Sequence, residues 1–172
     1  MLSEKNLSMF MGEDSYQKYA KGKTGEKLYS ILNELIKISR KQQETYKSEF
    51  TRSVNWAKEY CTIQLKVARQ SGHTYAMIET SLSRFSESII ISKGITANNH
   101  IKKMKREQRG CQKGHSTLLT INSLDIIKGL NNNIEAVFVD QHSTIDKTKE
   151  EEIYETCLPL ITDKPFFFIF IQ

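Results

Sequence analysis

The chain has 172 residues, enough to bury a real core within one ordinary domain. Its 38% hydrophobic and 26% charged content excludes the composition of a disordered chain. The net charge of +5 is unevenly spread, with 8 positive and 2 negative groups in 93–134 against 3 and 8 in 135–172. The middle therefore calls for an anionic partner, or for contact with the acidic segment that follows it.

No apolar h-region follows the start, and the longest apolar run, 166–171, is six residues against roughly 20 needed to span a bilayer. The three cysteines, Cys61, Cys111 and Cys157, are scattered and odd in number. A reducing, cytoplasmic setting follows, with no membrane crossing. Both prolines, Pro159 and Pro165, lie near the C-terminal end, which favours long helices before them.

In chain order, 1–23 reads as a flexible polar lead. The stretch "AKGKTGEKLYSIL" (20–32) then poses a choice between a phosphate loop and a helix start. A phosphate loop needs a first glycine five residues before Gly22, where Gln17 stands, and a buried strand before it, which "MGEDSYQKYA" is not. Thr24 reads better as a helix N-cap with Glu26 in the first turn. From Leu28 an apolar stripe follows through Ile31, Leu32, Leu35 and Ile38, at three- and four-residue steps. A second stripe runs through Trp56, Tyr60, Ile63 and Val67, then Thr74, Ile78, Leu82, Phe85 and Ile89. Small residues Ala68, Ser71, Gly72 and Ala76 allow close helix approach there. The run "SIIIS" (88–92) either ends that helix or forms a short β segment.

Residues 98–113 read as a basic helix, and 123–130 as a further helix before the glycine–asparagine stop. The pattern then changes. "IEAVFV" (134–139) and "FFFIFI" (166–171) are strand-like, and the acidic "DKTKEEEIYETCLPLI" between them is a helix stopped by Pro159.

Lys102, Lys105, Arg106, Arg109 and Lys113 share one helix face by spacing, with Lys103 beside them. Such a face suits phosphate head groups or a nucleic-acid backbone. The absence of aromatic residues between Phe85 and Phe138 favours the membrane surface, because single-strand binding uses stacked bases. For metal, Cys111 and His115 make half of a zinc spacing, with His100 nearby but no second pair. Cys61, Cys157 and Ser116 have no positioned base in sequence, and Cys61 reads as a packing residue. "AVFVD", ending at Asp140, has the form of the second half of an NTPase site, to be paired with Lys23 and Thr24.

The order of these features resembles the F-BAR (FCH) family of membrane-curving proteins. Gly25 leads Leu28, Leu32 and Leu35, and "SRKQQETYKSEF" (39–50) stands where that family has an Arg-x-x-Ile-Glu-x-x-Tyr pattern. "ARQSGHTYAMIETSLSRF" (68–85) is similar to its second helix, and "HIKKMKREQRGCQKG" (100–114) to its lysine-rich continuation. The resemblance spans about 12–115. It implies a long helical dimer on an anionic membrane, in the setting of endocytosis and the cytoskeleton.

The expected protein is mainly α, an antiparallel helical hairpin or coiled-coil-like bundle over 24–133, with a short strand–helix–strand appendage over 134–172. It self-associates, as a homodimer, through Leu28, Leu32, Leu35, Trp56, Tyr60, Ile63, Val67, Ile78, Leu82 and Phe85. Its function is that of a non-catalytic adaptor or scaffold, cytoplasmic and peripheral to the membrane, without cofactor or metal. Anionic phospholipid is met through Lys102, Lys103, Lys105, Arg106, Arg109 and Lys113, with cytoskeletal or signalling proteins as further partners. Nucleic-acid binding by the same face is the alternative, and an NTPase-like α/β protein the third reading.

Overall fold

The computed structural model describes residues 13–47, 53–67, 72–93, 98–99, 101–102, 114–129, 133–140, 145–161 and 165–171, with backbone alone for 13–23 and 128–129. At its centre lies a sheet of five strands: β1 (Thr62–Leu65), β2 (Glu87–Ser92), β3 (His115–Thr120), β4 (Ala136–Asp140) and β5 (Phe167–Ile171). Their spatial order is β1-β5-β4-β2-β3, and every pairing is parallel. The chain is thus an α/β fold, which overturns the expected mainly α hairpin or coiled-coil-like bundle.

The physical reason lies in the strand sequences. A parallel strand covered on both faces shows no polar alternation, only a short apolar run. "ESIIIS", "AVFVD" and "FFIFI" are such runs, and from Ser88 to Ser92 and throughout β4 and β5 every residue is buried. The apparent helical stripe from Trp56 to Ile89 crosses several elements. Ile63 belongs to β1 and Ile89 to β2, while Thr74, Ile78 and Leu82 share one helix, α2 (His73–Arg84). The supposed appendage is no appendage, because β4 and β5 are interior strands joined by α3 (Lys147–Cys157).

Helix α1 (Glu13–Thr45) is continuous through Thr24. Gly22, Lys23 and Thr24 are therefore neither a phosphate loop nor a helix start. Gly25 has a packing reason: a Cβ there would lie 2.8 Å from Tyr75 Cδ1 and 3.3 Å from the Gly72 carbonyl oxygen. The glycine lets α1 cross the start of α2 at close range. Gly72 is left-handed, at φ 75°, a conformation that glycine adopts without steric penalty.

Each sheet face has its own core. On one, Ile90, Ala136, Phe138, Phe167 and Ile169 meet Leu32 and Ile36 of α1 and Ala76, Met77, Ile78 and Leu82 of α2. On the other, Ile89, Ile91, Val137, Val139, Phe168 and Phe170 meet Ile153, Tyr154 and Cys157 of α3, with Trp56, Ala57 and Cys61. Trp56 closes a short helical segment, Val54–Trp56, which passes into a π-helical turn, Ala57–Cys61. Full burial of one such leucine, isoleucine or phenylalanine stabilises by about 1.5–3 kcal/mol, so two apolar layers suffice to dominate the fold.

The residues expected to join two chains are spent inside one. Leu32, Trp56, Ile63, Ile78, Leu82 and Phe85 are buried in these cores, and Leu28, Leu35, Tyr60 and Val67 pack partly buried against them.

Candidate functional site

The chain winds outward from β2 to β3, then returns to the other side of β2 as β4 and continues to β5. The winding direction reverses between β2 and β4. In open α/β sheets the connections diverge at such a point, leaving a crevice outside the carboxyl ends of the two strands.

Strand alternation decides which residues face that crevice. Successive side chains point to opposite sheet faces, so Ser92 follows Ile90 and Asp140 follows Phe138 onto the α1–α2 face. Ser92 and Asp140 are register partners at the last rung of β2 and β4. Ser92 donates to the Leu119 carbonyl at 3.4 Å, and on β3 the Thr120 hydroxyl meets Ser123 at 2.8 Å. Aspartate, serine and threonine thus end three neighbouring strands, whereas β5 ends in apolar Ile171.

Helix α2 brings the fourth group. Its first residue, His73, places Nε2 3.5 Å from Asp140 Oδ1, with side chains only 8% and 2% exposed. Thr74 beside it is also buried. The helix N-terminus carries partial positive charge from its unpaired N–H groups, and Gly72 at the cap offers no side chain to occupy them. Lys93 follows β2 directly and is exposed, as is Lys102 in the connection from β2 to β3. The carboxyl edge of β2, β3 and β4 thus brings together a buried carboxylate, a buried imidazole and hydroxyls.

Of the expected lipid-binding residues, Lys102 is exposed, while Lys103, Lys105, Arg106, Arg109 and Lys113 lie outside the described residues. Cys111 and His100 also lie outside them, and His115, exposed at the start of β3, lies 3.2 Å from Glu87. Among the described residues no group of three or more histidine, cysteine or acidic side chains could hold a metal. Cys61 and Cys157 are buried free thiols, and burial raises both above the ordinary thiol range, Cys157 to about 12. That environment suits packing, not nucleophilic attack. Ser116 is buried in β3.

Sequence reasoning weighed Asp140 but missed His73 and Ser92. Their signal was present: the apolar runs of β2 and β4 each end on a polar residue, and His73 follows a glycine at the start of a helix. Among the described residues no helix is long and apolar enough to cross a membrane. Comparison with protein-family models, with curated proteins and with solved structures finds no match to this chain.

Proposed function

We propose that the chain is a ligand-binding α/β protein whose site is the carboxyl-edge crevice between β2 and β4. Its ligand is a small phosphate ester bearing hydroxyls, of which nucleotides and sugar phosphates are the simplest. The observation behind this reading is the end of the sheet at the switch point, where Asp140, Ser92 and Thr120 replace apolar residues and His73 closes onto Asp140. Helix α2 directs its N-terminus toward that edge, where it favours an anion. Asp140 would repel a bare phosphate and therefore suits a sugar hydroxyl, or an amine, on the same molecule. Lys23 and Thr24 lie within α1, not in a phosphate loop.

Titration with AMP, ATP with Mg²⁺, and ribose 5-phosphate, followed by amide chemical shifts, tests the reading. Shifts at His73, Ser92 and Asp140, weakened by Asp140→Asn, are expected. No shift at these residues with any of the three would end it.

The basic run favours a second reading, a non-catalytic adaptor that meets anionic phospholipid surfaces, with nucleic acid as its alternative. Lys102 is exposed, and five more cations follow within the next eleven residues of sequence. Electrostatic attraction of this kind contributes about 1 kcal/mol per basic residue near an anionic membrane and is screened by salt. Arg106→Glu with Arg109→Glu should abolish liposome co-sedimentation. Stronger retention on RNA or duplex DNA than on phosphatidylserine vesicles at matched ionic strength would favour the alternative.

A further inference from the structure

At the opposite edge of the sheet, beside the amino ends of β2, β4 and β5, lies a cavity of about 380 Å³. Arg40, Glu44, Arg84 and Glu135 line it, with Ser86 and Pro165. Pockets of this size accommodate small molecules.

Both arginines are held by neutral partners. Arg84, at the end of α2, donates from Nε to Asn33 Oδ1 at 2.6 Å, and Asn33 is itself buried on α1. Arg40 lies two turns further along α1, with its guanidinium 5.9 Å from the centre of the Phe167 ring. An amide and an aromatic ring orient the guanidinium groups without neutralising them. Among the described residues, no ion pair within 4.0 Å joins either arginine to a carboxylate. Bonding of Arg84 through Nε leaves its terminal nitrogens as donors, and a guanidinium fork matches a carboxylate in geometry.

The carboxylates on the wall set the other half of the recognition. Glu135 accepts from the Ser86 N–H through Oε2 at 2.7 Å, which fixes its position while leaving its second oxygen. Glu44 lies one turn beyond Arg40 on the same helix. Two positive and two negative groups around one cavity repel a polyanion and a polycation alike. They complement a molecule with one charge of each sign.

We propose that this cavity binds a small zwitterion, an amino acid being the simplest, with its carboxylate on Arg40 and Arg84 and its ammonium on Glu44 and Glu135. The site is independent of the crevice at the carboxyl edge.

The test is isothermal titration of the full chain with the individual amino acids, and with propionate, propylamine and inorganic phosphate as single-charge or anion-only probes. At least one amino acid should bind more tightly than all three simple probes. Arg40→Gln should weaken it by about tenfold, as loss of one charge-assisted contact does. Glu44→Gln should weaken the amino acid while leaving propionate unchanged. Arg84→Gln removes the partner of Asn33 and can cost folding, so the exposed Arg40 and Glu44 variants carry the decision. Three results would overturn the proposal: no binding by any amino acid, binding indifferent to both exposed variants, or propionate or phosphate binding as tightly as the best amino acid.

Discussion

The side-chain amide of Gln43 binds both backbone groups of Phe166. Its Nε2 donates to the Phe166 carbonyl at 2.8 Å, and its Oε1 accepts the Phe166 N–H at 3.1 Å. Gln43 is buried on α1, and Phe166 directly precedes β5. The glutamine therefore replaces the hydrogen bonding that the chain loses where β5 begins, and it fixes the sheet to the helix that covers it. In the sequence, Gln43 lies beyond the apolar stripe that ends at Ile38. In the fold, Gln43 continues the buried face of Leu32, Ile36 and Ser39.

Replacing Gln43 by leucine keeps the volume and removes both bonds. Two buried backbone groups then lack partners, each at a cost of about 1–3 kcal/mol. The expected loss is about 3 kcal/mol in urea unfolding, with an unchanged m-value. A loss below half a kilocalorie would show that water reaches the Phe166 backbone.

The two close-packed glycines should respond very differently to alanine. A Cβ on Gly114 would lie 1.9 Å from the Phe85 carbonyl oxygen, a backbone atom that cannot rotate away. The same glycine donates its N–H to the Leu82 carbonyl at 3.0 Å, satisfying the end of α2. Gly114→Ala is expected to cost more than about 3 kcal/mol or to prevent folding. At Gly25 the nearest atom is the edge of the Tyr75 ring, which can shift, and alanine gains about 1 kcal/mol of helix propensity. Its net effect on the melting midpoint should be much the smaller.

Part of this fold is legible in the sequence. The strand-like character of 134–139 and 166–171 could be read, as could the helix between them, because turn and proline signals bound each run. Glu34 and Lys37, exposed and three residues apart on α1, are in contact at 2.7 Å, a pairing that helical spacing encodes locally. The sheet itself was not legible. β1 has four residues, and the strand beside it at that edge of the sheet, β5, comes from the far end of the sequence. Parallel pairing leaves no local hairpin signal, so helical spacing across 56–89 looked continuous. The candidate site shares that difficulty. Asp140 stood out as an acid ending an apolar run, but its relation to Ser92 and His73 depends on strand order and on a crossover, which spacing does not encode.

Buried thiols give a prediction for alkaline pH. Burial raises the thiols of Cys61 and Cys157, so the folded protein keeps their protons to higher pH than the unfolded chain does. Above the unfolded thiol value of about 8.5, the unfolded state ionises first. Stability is therefore intact below that pH and falls as pH rises through it, by up to about 1.4 kcal/mol per pH unit per thiol. In a Cys111→Ser background, neither remaining cysteine should react with a disulfide reagent at pH 8 until denaturant is added. Rapid labelling of the native form would contradict the buried packing of both.

The pair formed by His73 and Asp140 allows structural and ligand-binding roles to be separated. Their 3.5 Å contact is almost fully enclosed, so each should contribute to the environment of the other. A double-mutant cycle with His73→Ala and Asp140→Ala should give a coupling energy of about 1–3 kcal/mol in denaturant unfolding, as residues in contact do. Purely additive single effects would mean that the two groups do not interact in solution. Asp140→Asn nearly conserves shape and keeps an acceptor oxygen while removing the carboxylate charge. If the crevice binds phosphate esters through their hydroxyls, this variant should weaken ribose 5-phosphate more than inorganic phosphate. Equal weakening of both would assign Asp140 to the support of the site and leave hydroxyl recognition to other groups.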